Sequence, residues 1–390
     1  MIGRLRRFDW LMFGAMIVLI AIGTVAIRSA GCARAEAVFH GMWINNLVTA
    51  AFGLALYFAL ALTDYRKWLG LVAIPAYGVA LVLLVAVLAI GSEQFGGRRW
   101  LWFFQPSEVS KICVIALVAA VFGNRSESSR SWLWDFRGCL LAGAIIGVPL
   151  ILILKEPDLG TALTLVPATA LMVFVAGVWR KGRVVIAAIG GLVALLTLGA
   201  VYEAEKPGVT LERRERIMKY VPLKPHQVKR VRVFLFPGED VLGAGYNLHQ
   251  AQISIGSGGL TGKGIGKGET NHLKYLPQAI SMNDFIFCVY AEETGFVGSL
   301  VLLALFGLLL GSGCRVAFVA DDGRGRLLAL GVSTLVFAHV YVNIAMSIGL
   351  VPITGLPLPF ISSGRTFLVT VMCGFGIIQS VSMHREENNT

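Results

Sequence analysis

An acidic residue at a membrane boundary is the feature of this sequence with the clearest chemical consequence. Asp284 stands between a long polar, glycine-rich segment and the apolar run 285–290, FIFCVY. A carboxylate at the mouth of a membrane helix is costly unless water solvates it or it has a chemical role. Asp284 is therefore the first candidate for a functional site.

A second group of charges comes earlier in the chain. Arg98 and Arg99 precede Pro106, which suits the first turn of a helix. Glu108 and Lys111 then fall three residues apart, on one face and at the membrane end of that helix. Such charges either serve a site or form a self-satisfied ion pair that holds two helices together. The sequence leaves both alternatives open.

Two further loops carry unusual residues. Lys155, Glu156 and Asp158 share a tight, proline-containing turn, where charges either cap helix ends or contribute to a site. The segment 351–366 holds three prolines and two glycines, so it is not a regular helix. Irregular backbone at membrane depth is tolerated where it lines a polar cavity or is buried in protein. We therefore expect these loops to converge on one outward-facing cleft.

The composition indicates which elements must position these residues. Of the 390 residues, 56% are hydrophobic and 15% are charged, and the mean hydropathy is +0.73, far too apolar for an ordinary soluble domain. We predict an all-α integral membrane bundle of about ten transmembrane helices, forming a single domain over 1–390. The apolar runs long enough to cross about 30 Å of hydrocarbon cover 9–28, 40–62, 68–90, 107–123, 138–154, 160–177, 184–202, 285–312, 327–350 and 366–382.

The distribution of Lys and Arg predicts the orientation. Loops on the N-terminal side carry fifteen of these residues, against six in the opposite short loops, so both termini should be cytoplasmic. The long loop 203–283 then lies outside. Its twelve basic and seven acidic residues either form a solvated surface or serve an anionic partner such as phosphate or lipid headgroups. Within it, 211–236 mixes basic and apolar residues in the manner of short interfacial helices.

Several common sites are not indicated. The six Cys and six His residues show no disulfide framework and no zinc-ligand spacing. The glycine-rich segment 256–268 lacks the GxxxxGK[ST] pattern of a phosphate loop, and a flexible external turn is expected there. No nucleic-acid-binding module is found.

Several motifs together resemble one family. They are QISIGSGGL at 252–260, YLP at 275–277, DFIF at 284–287, EETGFVG at 292–298, QPSEVSK at 105–111, EPDLGTA at 156–162 and LPFIS at 358–362. With these motifs the chain resembles the SEDS proteins of bacterial cell-wall synthesis (shape, elongation, division, sporulation). The runs LKPHQ at 223–227, FLFPGED at 234–240 and GAGYN at 243–247 are closer to the elongation branch, RodA, than to the division branch, FtsW.

The resemblance implies a function and partners. Such a protein is a peptidoglycan glycosyltransferase that polymerises lipid II into glycan strands on the outer face of the bacterial cytoplasmic membrane during cell elongation. Lipid II, the undecaprenyl-pyrophosphate-linked disaccharide peptide, is both donor and acceptor. A class B penicillin-binding protein is the implied partner, which crosslinks the strands and activates the polymerase.

The resemblance also implies residue roles. Asp284 matches the essential aspartate of the family and is expected to be the general base of an inverting reaction. The leaving lipid pyrophosphate needs fixed cations or a metal, and Arg98, Arg99, Lys111 and Lys155 are the candidates. Glu108 and Asp158 match further motif positions, where they orient those cations, bind a divalent ion such as Mg²⁺ or Mn²⁺, or support the fold.

The chain departs from the family pattern in two places near Asp284. Met282 and Asn283 stand where family members have His-Thr, so any help from a histidine is missing or comes from elsewhere, such as His272. Ser362 to Arg365 replaces the usual Ser-Tyr-Gly-Gly. This adds a cation, and we expect Arg365 to contribute to pyrophosphate binding.

Two other function classes fit the same sequence. A flippase for lipid-linked cell-wall precursors would also need a basic cavity and broken helices. A noncatalytic scaffold of the elongation machinery would not need Asp284 for polymerisation.

Overall fold

The computed structural model describes most of the chain. The described residues are 6–32, 41–94, 97–102, 104–124, 132–156, 158–178, 182–206, 208–221, 225–238, 243, 245–269, 276–277 and 281–385. Within these ranges the chain forms thirteen α-helices and one antiparallel two-stranded hairpin. The all-α architecture expected from the composition is confirmed.

The helices follow the apolar pattern closely. In chain order the elements are α1 (Trp10–Cys32), α2 (Met42–Leu62), α3 (Tyr65–Ile90), β1 (Ser92–Gln94), β2 (Gly97–Trp100), α4 (Pro106–Phe122), α5 (Trp132–Lys155), α6 (Leu159–Val175), α7 (Gly182–Glu205), α8 (Leu211–Met218), α9 (Pro225–Leu235), α10 (Tyr246–Ser257), α11 (Ile286–Val319), α12 (Gly323–Ser347) and α13 (Arg365–Met383). Each predicted apolar run coincides with one of these helices. Among the described residues, seven helices are long and apolar enough to cross a membrane.

Helices α12 and α13 form the centre of the bundle. In their most apolar windows 72% and 83% of the residues are buried, compared with 22% in α3. Helix α13 packs against α2 and α4, and α12 packs against α4, α6 and α11. The outer helices turn large apolar side chains such as Leu71, Ile74 and Val82 away from the protein, which suits lipid as the surrounding solvent.

The segment between α7 and α11 contains helices of its own. Helices α8 and α9 carry the mixed basic and apolar residues of 211–236, and both pack against α7. Buried Glu205 at the end of α7 pairs with Arg214 at 2.6 Å and with Arg232 at 3.4 Å. A small apolar cluster of Val201, Val221 and Val228 lies beside these pairs. The segment between α7 and α11 is therefore attached to the bundle by both charge and packing.

The glycine-rich segment after α10 folds onto a break in α11. Gly295 interrupts α11 with φ 69° and ψ −164°, a conformation that is essentially restricted to glycine. Four backbone hydrogen bonds join the two segments, with N···O distances of 2.9 to 3.1 Å. The N–H groups of Lys263 and Gly264 donate to the carbonyl oxygens of Glu292 and Glu293, before the break. The N–H groups of Phe296 and Val297, after the break, donate to the carbonyl oxygens of Gly259 and Leu260. The segment is thus held against α11 and does not extend freely from it.

Gly295→Ala should destabilise the protein, because both the backbone angles and the lack of space for a Cβ require glycine at this position. A Cβ at this position would lie 2.3 Å from the Gly262 nitrogen, in addition to the unfavourable backbone angles. We expect the free energy of unfolding to fall by about 1–3 kcal/mol or more, measured as a lower midpoint of thermal unfolding in detergent. Gly307→Ala is the control, since a Cβ there meets nothing within 4 Å. Equal midpoints for the two variants would contradict this account.

Candidate active site

Asp284 lies in the turn immediately before α11. The buried Asn343 of α12 holds this turn, because its Nδ2 donates to the Asp284 carbonyl oxygen at 2.9 Å and to the Leu356 carbonyl oxygen at 2.6 Å. One amide side chain therefore joins the central helix, the turn of Asp284 and the irregular segment between α12 and α13.

A cation that the sequence did not single out faces Asp284. Arg230 of α9 donates through Nη1 to the Thr354 carbonyl oxygen at 2.9 Å. A Cβ built on Gly355 would lie 3.4 Å from Asp284 Oδ2 and 3.8 Å from Arg230 Nη1. The carboxylate and the guanidinium thus both lie against the open side of Gly355, whose φ of 76° also favours glycine.

The Asp284 carboxylate is available for chemistry. The side chain is partly exposed, and its oxygens accept no hydrogen bond from any residue in the described ranges. A carboxylate has about four lone-pair directions, so a substrate hydroxyl that approached Asp284 could donate to it directly.

The loops before α4 and α6 meet on another side of the site. Arg99 of β2 donates through Nε to the Glu156 carbonyl oxygen at 3.3 Å, and its Nη1 lies 3.9 Å from Asp158 Oδ1. Asp158 caps α6 by accepting from the Thr161 backbone N–H at 3.1 Å and hydroxyl at 2.9 Å. Gln105, just before α4, donates through Nε2 to Asp158 Oδ2, the oxygen that also accepts from the Thr161 hydroxyl, at 3.3 Å. Asp158 therefore fixes both loops.

The electrostatics of the site are determined by four charged groups from four segments: Asp284, Arg230, Arg99 and Asp158. Asp284 is only partly exposed, and the desolvation of its carboxyl group raises the pKa to about 6; the cations Arg230 and Arg99 oppose this rise and Asp158 adds to it. Burial lowers the pKa of Arg230 from its ordinary value, and Arg99 lowers it further, but a guanidinium remains charged. A carboxyl group whose pKa is near neutral can take up and release a proton at physiological pH.

Glu108 and Lys111 lie inside the protein. Lys111 is 0% exposed, and its Nζ lies 2.8 Å from Glu108 Oε2 in an ion pair that is not aligned as a hydrogen bond. The same Nζ lies 2.9 Å from His339 Nε2 and 5.3 Å from the centre of the Phe367 ring. These contacts link α4, α12 and α13, which favours the ion-pair alternative that the sequence left open.

The remaining predicted site residues lie at the ends of elements. Lys155 is the exposed last residue of α5, and Arg365 is the exposed first residue of α13. Thr366, next to Arg365, accepts from the Gln105 backbone N–H at 3.3 Å, so Arg365 is adjacent to the loop that carries Arg99. Arg98 belongs to β2, but its side chain lies outside the described part of the structure. His272 also lies outside the described residues.

The two departures from the family pattern contact each other. The Ser363 N–H donates to the Met282 carbonyl oxygen at 3.2 Å, and the Ser363 hydroxyl donates to Asn283 Oδ1 at 2.7 Å. The Ser362 hydroxyl donates to the Asn283 carbonyl oxygen at 2.7 Å. The turn before Asp284 is thus held by Ser362, which matches the usual motif, and by Ser363, which differs from it.

The donor groups do not form a metal site by themselves. Within the described ranges, no three or more Asp, Glu, His or Cys side chains come together in a way that could hold a metal ion. Asp158 is already occupied by three hydrogen bonds. The described side chains therefore do not by themselves fit a bound metal ion.

Comparison with known proteins identifies the family. The sequence model for FtsW, RodA and SpoVE, described as "Cell cycle protein", matches residues 9–387. The chain belongs to this family. It is 35% identical over 351 residues to the peptidoglycan glycosyltransferase MrdB of Escherichia coli K12, covering 89% of this chain and 87% of that protein. It is 30% identical to the stage V sporulation protein E of Bacillus subtilis, with 96% and 97% covered.

Solved structures of the family share the fold. A chain in a structure described as "Structural coordination of polymerization and crosslinking by a peptidoglycan synthase complex" matches with a TM-score of 0.72 at 29% identity, covering 98% of this chain and 99% of that one. The rod shape determining protein RodA of Thermus thermophilus matches with a TM-score of 0.66 at 26% identity, covering 98% of both chains. The family, the membrane-embedded all-α fold and the resemblance to RodA are therefore confirmed.

Within this family fold, sequence reasoning missed two residues. Arg230 is one of many basic residues in 211–236, and no spacing distinguishes it from its neighbours. Asn343 lies in an apolar run and carries no charge. A polar side chain in a membrane helix is itself a functional indication, so Asn343 could have been found, whereas Arg230 needed the packing of α9.

Proposed function

We propose that this protein is a peptidoglycan glycosyltransferase that polymerises lipid II during cell elongation. The observation that carries the proposal is the partly exposed Asp284 carboxylate, which accepts no hydrogen bond in the described structure and faces Arg230 and Arg99. The assignment of the family supports it. A base beside fixed cations suits a sugar transfer in which a hydroxyl loses a proton and a diphosphate leaves.

The setting and the partner follow from the same proposal. The protein spans the bacterial cytoplasmic membrane several times with both termini in the cytoplasm, which places Asp284 at the outer face. The partner is a class B penicillin-binding protein. One matching structure is that of a complex that coordinates polymerisation and crosslinking of peptidoglycan, which supports such a partner.

Asp284 acts as the general base. The 4-hydroxyl of the acceptor sugar attacks the anomeric carbon of the donor, and its proton passes to the Asp284 carboxylate. An α-linked donor and a β-linked product require inversion, so no covalent intermediate with the protein is needed. Asn343 fixes the backbone of the base through the hydrogen bond to its carbonyl oxygen.

Arg230 and Arg99 stabilise the leaving group. As the bond from the anomeric carbon to the diphosphate oxygen breaks, negative charge develops on the diphosphate, and preorganised cations lower the energy of that state. Arg230 is held by Thr354 and Arg99 by Glu156 and Asp158. Arg98, Lys155 and Arg365 would add charge from the surrounding loops. Any Mg²⁺ or Mn²⁺ would enter with the substrate diphosphate, since Mg²⁺ commonly binds phosphates with few protein ligands.

The function is tested with purified protein and its partner in detergent. Extension of glycan strands from lipid II is expected, and a flippase would produce none, because no membrane separates two compartments there. Strand extension that persists undiminished in Asp284→Asn would favour the scaffold alternative. Repeating the assay with a chelator and with added Mg²⁺ or Mn²⁺ measures the need for a divalent cation.

Arg230→Gln should lower kcat/KM for lipid II by about 10²-fold, because removal of one preorganised donor to developing charge typically costs that much or more. The matched control is Arg213→Gln, an exposed arginine of α8 whose loose pair with Glu203 spans 3.6 Å, and its activity should not change. Equal activities of the Arg230 and Arg213 variants would remove Arg230 from the site.

Arg365→Ala should have a smaller effect on kcat/KM for lipid II, within about fivefold, because exposed charges contribute about 1 kcal/mol or less.

A further inference from the structure

Glu156 is a buried acid that the mechanism above does not use. It follows α5 directly, it is 0% exposed, and neither carboxyl oxygen has a hydrogen-bond partner among the residues that the structure describes. A buried carboxylate without partners is strongly unfavourable, whereas a neutral carboxylic acid is tolerated at lower cost. The structure therefore favours the protonated form of Glu156.

The position of Glu156 connects it to the substrate cations. Its backbone carbonyl oxygen accepts from Arg99 Nε at 3.3 Å, while the Arg99 Nη1 atom is directed to Asp158. The carboxyl group of Glu156 forms no ion pair with Arg99 in the described structure. An ionised carboxylate at this place would attract the guanidinium, since opposite charges interact strongly at low dielectric.

We propose that Glu156 is a positioning residue that controls Arg99 through its own protonation: as a neutral acid it leaves Arg99 in its place beside Asp158, where the proposed mechanism uses it, and as a carboxylate it draws Arg99 away. This inference rests on the proposed function. Polymerisation would then require a protonated Glu156 together with an ionised Asp284.

The neighbouring charges set the pH range of this control. Burial raises the pKa of Glu156 to about 8, Asp158 raises it further and Arg99 opposes the rise. The charged groups that act on Asp158 or Arg99 are Glu108, Arg230 and Asp284. Glu108 pairs with Lys111, which also contacts His339 on α12, and Arg230 lies opposite Asp284. Lys155, the residue before Glu156, is exposed. At pH 7 the neutral form of Glu156 is favoured by about ten to one, and it is lost as the pH rises through about 8.

The test is the pH profile of kcat/KM for lipid II, measured from pH 5.5 to 9.5 with the partner present. The wild-type rate should fall about tenfold below its plateau by pH 9. Glu156→Gln, which imitates the neutral acid, should stay within about twofold of its plateau at pH 9 and keep the acidic limb near pH 6. Glu212→Gln, at an exposed position of α8, is the matched control and should keep the wild-type profile.

Two results would overturn the inference. One is an alkaline fall in Glu156→Gln that equals that of the wild type. The other is a loss of more than about tenfold in Glu156→Gln at pH 7 while its thermal unfolding in detergent matches the wild type, because the neutral acid would then have a role that an amide cannot replace. Absence of strand extension in all proteins at every pH would instead overturn the proposed function itself.

Discussion

Asp284→Asn is expected to lower the rate of glycan polymerisation by about 10²- to 10⁴-fold, the range that general-base catalysis usually supplies. Asparagine has nearly the same shape, and the hydrogen bond from Asn343 reaches the backbone carbonyl of residue 284 and not its side chain. The turn should therefore fold as before, and only the proton acceptor is lost. The measurement is strand extension from lipid II by the purified complex.

Asp321→Asn is the matched control for this variant. Asp321 lies beyond the other end of α11, where it pairs with Arg66 at 3.1 Å in a partly exposed ion pair, and such pairs contribute little. Full activity of Asp321→Asn beside an inactive Asp284→Asn would assign the loss to the base. Wild-type activity in Asp284→Asn would exclude a catalytic role for this carboxylate.

The pH dependence gives an independent check on Asp284. The base works only when it is ionised, and its pKa is raised to about 6. The rate should therefore fall as the pH drops through about 6, by about tenfold for each further unit. An acidic limb near pH 4, the ordinary value for Asp, would indicate that Asp284 titrates without the influence of burial and of its neighbours.

The sequence predicted the fold well because the membrane imposes one strong rule. Every backbone polar group in hydrocarbon must be paired within the protein, so a long apolar run such as 327–350 has little choice but to be a helix. The ends of helices were also predictable where local chemistry decides them, as with Pro106 at the start of α4. The helices of the segment between α7 and α11 were less certain, because α8 and α9 depend on packing against α7.

The site was predictable only in part, for a physical reason. Asp284, Arg99 and Asp158 stand out because charge at a membrane boundary is rare. Arg230 lies in a basic segment where charge is common, so only the contact of α9 with Thr354 distinguishes it. The pairing of Asn283 with Ser363 joins positions far apart in the chain, and no local pattern shows such a contact.

Lys111→Met is expected to destabilise the protein more than it affects substrate binding. Lys111 is completely buried, so its loss leaves Glu108 as an unpaired charge in the interior. Breaking a buried ion pair in this way typically costs about 3–5 kcal/mol. We expect a lower midpoint of thermal unfolding in detergent and a smaller yield of monodisperse protein. The double variant Glu108→Gln with Lys111→Met should recover most of the stability, because no isolated charge remains.

The chain contains a close control for this experiment. Glu203 and Lys206 have the same residue types, the same spacing and the same 2.8 Å separation as Glu108 and Lys111, but their side chains are 44% and 38% exposed. Lys206→Met should therefore lower the midpoint of thermal unfolding much less than Lys111→Met does. If Lys111 instead held the diphosphate directly, Lys111→Met would unfold at the wild-type midpoint and lose activity, and the double variant would be no more stable than the single one. The comparison of the two pairs thus separates burial from substrate binding, since burial is the property in which they differ most.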